Sequence, residues 1–138
     1  TTDKLTLRPE MAFKDTSRWY HIVWTYNSDG QASSPDNTKI YVDGLLISDW
    51  NVRTGTITTD WETTMNGPYK HMWGGLSRAV TTSTFDGYLA EIHFIDGAVH
   101  EPTDFGAFDA NGIWIPKEVT GMTYGTNGYH LDFSDNYC

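Results

Sequence analysis

Carboxylates are the most numerous groups in the chain that could do chemistry, with 18 Asp and Glu against nine Lys and Arg. A retaining glycoside hydrolase needs two of them facing each other, about 5 Å apart. Glu91 and Asp96 are five positions apart, and so are Asp86 and Glu91, which puts each pair on opposite faces of an extended strand. No other strand suggested by the sequence carries two carboxylates two positions apart. This spacing argues against glycoside hydrolysis, and we predict a protein without catalytic residues.

The five histidines and the single cysteine form no recognisable catalytic or metal-binding motif. The chain has no H-x-H or HExxH spacing, no G-x-S-x-G nucleophile elbow and no GxxxxGK[ST] phosphate loop. His21, His93 and His130 lie on predicted strands, where we expect hydrogen-bonded structural histidines. A lone cysteine, Cys138, excludes an intrachain disulfide and a Cys-rich zinc site. We therefore predict no metal ligands among these residues.

Loop aromatics are the second group that could form a site, because a flat ring can stack on the apolar face of a sugar while polar neighbours bind its hydroxyls. Trp50, Trp61, Tyr69 and Trp114 lie in or beside predicted loops. Each of these rings could instead pack over the rim of the fold. The predicted ligand-binding face consists of one polar and aromatic set: Trp50, Asp60, Trp61, Asn66 and Tyr69.

Residue pairs that favour turns predict where the strands that position these residues begin and end. Asx-Gly pairs favour two-residue hairpin turns, because both positions adopt positive φ. Such pairs at intervals of 10 to 23 residues predict many short strands. Seven pairs occur, at Asp29-Gly30, Asp43-Gly44, Asn66-Gly67, Asp86-Gly87, Asp96-Gly97, Asn111-Gly112 and Asn127-Gly128.

The segments between the turns read as strands. Residues 19–26 are rich in aromatic and β-branched side chains, which predicts a strand covered on both faces. Residues 39–42 and 45–48 predict a tight hairpin about the turn pair between them. Residues 88–95 alternate between two faces, and residues 129–133 predict the last strand. We expect four strand aromatics in the core: Trp19, Trp24, Phe94 and Phe133.

These elements predict an all-β protein, an antiparallel β-sandwich or barrel, with a sandwich favoured. One short helix of one or two turns is expected at residues 101–108, and residues 53–64 read as a long loop. The 138 residues fit a single domain, 1–138. A net charge of −9 argues against a nucleic-acid partner and against docking on an anionic membrane.

Three motifs in order carry a family resemblance. A W-x-H-[IV] strand at residues 19–26, a hairpin at 39–44 and an F-x-G-x-[IL]-x-[DE]-[IV] strand at 85–92 resemble the laminin-G-like, concanavalin-A-like jelly roll. The resemblance covers residues 15–96, and residues 97–138 look like the C-terminal extension of such domains in bacteriophage tail-fibre and virion surface proteins. Family members carry more strands before the first motif, so we expect a jelly roll incomplete at its N-terminus and a chain that is the C-terminal part of a longer protein.

The resemblance implies a non-enzymatic glycan-binding or adhesion module on a virion surface or in another extracellular setting. Its partner would be a cell-surface carbohydrate. The alternative is a structural assembly or decoration protein that forms a homo-oligomer or contacts neighbouring virion subunits; a glycoside hydrolase is the least favoured reading. No cofactor is predicted, although Ca²⁺ stays open because such domains often hold one at the loop rim. The candidate ligands are carboxylates: Asp96, Asp104, Asp109, Asp132 and Asp135.

Overall fold

The structure is a computed structural model that describes residues 5–32, 34–67, 69, 71–75 and 84–134. Within these residues the regular structure is short antiparallel strands and single-turn 3₁₀ helices, without an α-helix, which confirms the all-β prediction. The strands are β1 Leu5–Pro9, β2 Ile22–Tyr26, β3 Thr38–Val42, β4 Leu45–Leu46, β5 Trp50–Gly55, β6 Ile92–Phe94, β7 Gly106–Phe108, β8 Trp114–Pro116 and β9 Tyr129–Leu131.

The chain folds into two compact units. The first unit comprises Thr1–Trp61 and Val99–Met122, and the second comprises Glu62–Ala98 and Thr123–Cys138. In the first unit β1 pairs with β5, β7 pairs with β8, and β2, β3 and β4 form a three-stranded sheet in that order. In the second unit β6 pairs with β9.

The hairpin between β3 and β4 forms where the sequence predicts it. Asp43 and Gly44 have φ values of 48° and 79°, the positive-φ pair that a two-residue hairpin turn requires. The Asp43 carboxylate also accepts hydrogen bonds from the His21 backbone N–H at 2.9 Å and from Arg18 at 2.7 Å. The turn is thereby tied to the segment that leads into β2.

Several strand boundaries differ from the prediction: β2 begins at Ile22 rather than at residue 19, β4 ends at Leu46 rather than at residue 48, and β9 ends at Leu131 rather than at residue 133. The loop expected at residues 53–64 begins later, because β5 extends to Gly55 and pairs with β1. The strand expected at residues 88–95 is only Ile92–Phe94, because Glu91 has a φ of 49° and ends the extended conformation. Of the short helix expected at residues 101–108, only one 3₁₀ turn forms, Pro102–Asp104, because the chain after Phe105 is extended and residues 106–108 belong to β7.

The predicted core aromatics are largely wrong. Trp19, Trp24 and Phe133 are 65%, 53% and 56% exposed, and Phe94 is half-buried. The buried apolar side chains among the described residues lie elsewhere: Tyr41, Val42, Ile57, Ile92 and Phe105. Residues 19–26 are aromatic or β-branched at every position, without alternation of apolar and polar side chains, so their pattern could not tell which face is covered.

In the first unit, the segment Val99–Met122 packs against the turn between β3 and β4. The Trp114 ring lies over Gly44 and Gly106, where an added Cβ would meet the indole, at 2.6 Å in the case of Gly106. The same ring lies 5.6 Å from His21 and 5.0 Å from Phe108, measured between ring centroids. His21 also faces Phe105 at 6.4 Å, so it sits in a largely apolar environment.

This environment makes His21 a source of pH-dependent stability. Burial lowers the pKa of His21, and the Asp43 charge only partly opposes the shift. The unfolded chain therefore takes up a proton at His21 at a higher pH than the folded chain does. The free energy of unfolding is expected to fall as the pH drops below about 6.5, the usual pKa of histidine.

The measurement is urea unfolding of the wild type and of His21→Gln between pH 8 and pH 5. The variant keeps a polar side chain but cannot titrate in this range, so its stability should decline less on acidification. Equal declines in the two proteins would show that His21 does not supply this pH dependence.

Candidate functional site

Three of the predicted ligand-binding residues lie in the first unit. Trp50 is half-buried and stands at the start of β5, opposite Pro9. Asp60 is exposed, has a φ of 53°, and accepts a hydrogen bond from the Gly30 N–H at 2.9 Å. Trp61 is half-buried, and its ring meets Tyr26 edge-on with 6.4 Å between centroids. Asp60 and Trp61 thus form an adjacent acidic and aromatic pair on one loop.

The other two predicted residues, Asn66 and Tyr69, belong to the second unit. Asn66 is exposed and its amide oxygen accepts a hydrogen bond from the Asn127 side chain at 3.0 Å. Tyr69 is 66% exposed, and its backbone N–H donates to the Gly67 carbonyl at 2.8 Å. The predicted set is therefore divided between the two units, and Asp60 with Trp61 is the part whose geometry can be described together.

Two of the candidate Ca²⁺ ligands, Asp109 and Asp132, accept hydrogen bonds within their own turns. Asp109 accepts from the backbone N–H groups of Ile113 and Asn111, both at 2.8 Å, and the bond from Ile113 is the main cause that lowers the pKa of Asp109. Ser134 lowers the pKa of Asp132 in the same way. Asp135 and Cys138 lie outside the described residues. These turns orient the Asp109 and Asp132 carboxylates toward their own loops, and the Ca²⁺ prediction stays a prediction.

A different group of side chains gathers in the second unit. Glu91, His93 and His130 each offer one potential ligand atom, and these three atoms lie within 4.8 Å of one another. The two imidazole rings stack at 4.1 Å between centroids with a 12° angle between their planes. Nε2 of His130 lies 2.8 Å from Oε2 of Glu91. We call these three residues, together with Tyr124, the His93 cluster.

The pairing of β6 with β9 creates the His93 cluster. Its register sets His93 directly opposite His130, and side chains at such opposed positions have Cβ atoms about 4.5–5.5 Å apart. Glu91 precedes β6 in a left-handed conformation. Tyr124 stacks beside both histidines, and its hydroxyl lies 2.7 Å from Nδ1 of His93. Burial, followed by the charge of Glu91, raises the pKa of Tyr124.

Ligand spacing along a single strand does not reveal this cluster. His93 and His130 are 37 positions apart, and only a long-range strand pairing makes them neighbours. One signal was present in the predicted strands, where His93 shares a face with Glu91 and His130 lies opposite the apolar face of the last strand. A test of all pairs of polar strand faces would have found the two histidines.

Comparison of the chain with known protein families, with curated proteins and with solved structures finds no match in any of the three. Among the residues that the structure describes, no helix has the length and apolar character needed to cross a membrane. The functional assignment therefore depends on the chain's own residues.

Proposed function

We propose that this protein is a non-enzymatic recognition module of a virion or cell-surface appendage, and that its ligand is a cell-surface carbohydrate. The proposal adopts a concanavalin-A-like jelly roll as the finer architecture of the all-β chain, on the strength of the motif order in residues 15–96. One structural observation supports the ligand class most directly. Trp61 is only half-buried and directly follows the exposed Asp60 in the chain.

The local contacts hold this pair in a defined geometry. The Trp61 carbonyl accepts hydrogen bonds from the hydroxyl groups of Tyr26 and Ser28, the latter at 3.0 Å. The Asp60 backbone N–H donates to the Ser28 carbonyl at 2.9 Å. A preorganised loop loses little conformational freedom when it binds, which favours affinity from a small contact area. Repetition of such a site on a multimeric appendage would raise avidity without new contacts.

A second candidate function, assembly without a small ligand, is favoured by a different observation. One face of the β2–β3–β4 sheet carries Ile22, Trp24 and Leu45, which are 55%, 53% and 64% exposed. Apolar side chains exposed on the same face of a sheet are typical of a protein–protein contact. In this reading the face packs against another copy of the chain or a neighbouring virion subunit.

One experiment tests the carbohydrate proposal and separates the two candidates. The wild type is first screened on a broad glycan array, and the affinity for a bound glycan is then measured in solution with the monovalent sugar, so that avidity does not contribute. Trp61→Ala is expected to weaken this affinity at least ten-fold, because truncation of a central aromatic contact typically costs about 2 kcal/mol or more. Trp61→Phe keeps a flat ring and should retain most of the binding.

Trp24→Ser is the matched variant for the sheet face. It should leave the affinity for the monovalent sugar unchanged, and it should lower the oligomer mass in sedimentation only if the face is an assembly contact. A glycan array without any bound sugar, together with an oligomer that Trp24→Ser dissociates, would replace the carbohydrate proposal by the assembly function.

A further inference from the structure

We propose that Glu91, His93 and His130 bind a divalent transition-metal ion of the Zn²⁺ class, with Tyr124 as the residue that positions His93. The site is independent of the proposed carbohydrate contact at Trp61. It would join β6 to β9 through one ion, and these strands are connected by 34 intervening residues between Phe94 and Tyr129.

The donor set selects the class of ion. Two imidazoles and one carboxylate form a ligand set that Zn²⁺ accepts, with an open fourth position for water. Ca²⁺ and Mg²⁺ prefer oxygen ligands, so two histidines disfavour both ions. Among the described residues, the three side chains form the one group of His, Cys, Asp or Glu that brings three potential ligand atoms within 4.8 Å of one another.

The side chains need only a small adjustment to bind an ion. Ligand atoms around tetrahedral zinc are about 3.4 Å apart, as metal–ligand bonds of about 2.0–2.1 Å require. The present separations of up to 4.8 Å must therefore shorten by about 1.4 Å at most. The stacked rings must also turn out of their parallel arrangement. The side chains of His130 and Glu91 are 32% and 62% exposed, which leaves them room for these rotations.

Tyr124 supplies the outer contact that metal-binding histidines usually have. Its hydroxyl at 2.7 Å from Nδ1 of His93 restricts the rotation of that ring. The backbone around Tyr124 is itself anchored, since the Tyr124 carbonyl accepts a hydrogen bond from the Asp96 N–H at 2.9 Å. The cluster thus has two histidines from paired strands, one exposed carboxylate and one positioning hydroxyl.

The test is isothermal titration of the metal-free, untagged full chain with ZnSO₄ at pH 7.5. We expect saturation at one ion per chain. His130→Gln and Glu91→Gln each remove one ligand, and His130→Gln should weaken binding more than about 100-fold, beyond the effect of losing an outer contact. Tyr124→Phe should weaken binding about ten-fold and shift the visible absorption band of bound Co²⁺, while the metal-free stability changes little.

His100→Gln is the matched control, because His100 also pairs with a carboxylate, that of Asp104 at 2.9 Å, but lies in the first unit outside the His93 cluster. It should bind Zn²⁺ like the wild type, and CaCl₂ should give no binding at this site. Absence of Zn²⁺ binding by the wild type would overturn the proposal. The proposal would also be overturned if His130→Gln and Glu91→Gln both bound Zn²⁺ with the affinity of the wild type.

Discussion

Replacing Gly125 by alanine is expected to lower the free energy of unfolding by about 2–5 kcal/mol. Two effects add at this position. Gly125 has a φ of 79°, in the left-handed region that side chains with a Cβ avoid. A Cβ there would also press on the Asp96 carbonyl oxygen and lie 3.0 Å from its carbon. The two nearest atoms belong to the Asp96 backbone, and the third is its Cβ at 3.1 Å, so no side-chain rotation can relieve the overlap.

Gly112→Ala is the matched control for the conformational part of this effect. Gly112 has nearly the same φ, 77°, but nothing lies within 4 Å of an added Cβ. Its substitution should cost only the left-handed strain, about 1–2 kcal/mol. Urea unfolding followed by far-UV circular dichroism gives both values. If the two variants lose the same stability, the close approach of Gly125 to Asp96 is not present in solution.

The Gly125→Ala substitution is also expected to affect the His93 cluster. Gly125 follows Tyr124, and three hydrogen bonds hold the loop to Asp96. The Asp96 N–H donates to the Tyr124 carbonyl, and the Asn127 backbone N–H and side-chain amide donate to the Asp96 carboxylate at 3.2 Å and 3.3 Å. Forcing this loop away from Asp96 would displace the Tyr124 hydroxyl from His93. A destabilised but folded Gly125→Ala protein is therefore also expected to bind Zn²⁺ more weakly than Gly112→Ala.

The local features of the fold could be predicted because they depend on neighbouring residues alone. The Asp43-Gly44 turn follows from the need for two positive φ values, and flanking β-formers then define the hairpin. The 3₁₀ turn at Pro102–Asp104 follows from the proline at its first position, whose fixed φ suits the start of a helix. Each of these predictions required no knowledge of distant partners.

The features that could not be predicted all depend on which segments meet. The exposure of Trp24 depends on whether any segment covers that face of the sheet, and strand composition does not encode the answer. His93 meets His130 only because β6 pairs with β9. The length of the loop between two strands does not reveal such a pairing, because the entropy cost of loop closure changes only slowly with loop length. The division of the predicted sugar site, with Trp61 in one unit and Tyr69 in the other, is also a long-range property.

Replacing Trp114 by alanine is expected to destabilise the first unit by about 3 kcal/mol, the lower end of the cost of truncating a buried tryptophan, because this ring is only half-buried. The ring covers Gly44 and Gly106, whose lack of a Cβ makes room for it. Its removal would leave a gap bordered by two glycines that cannot fill it. Trp19→Ala is the control, since Trp19 is 65% exposed, and it should cost less than 1 kcal/mol by the usual rule of about ±0.5 kcal/mol for surface changes.

Trp114→Phe separates the contribution of ring packing to stability from the contribution of the indole nitrogen. The indole Nε1 of Trp114 is buried, and it has no hydrogen-bond partner among the described residues. A buried donor without a partner costs about 1–3 kcal/mol of stability. Phenylalanine has no such donor and would recover this cost, but its smaller ring would lose part of the apolar contact area. The two terms oppose each other, so Trp114→Phe should lie within about 1 kcal/mol of the wild type. If urea unfolding instead shows that phenylalanine is as damaging as alanine, the indole nitrogen has a partner in solution and the ring is held by that bond rather than by packing alone.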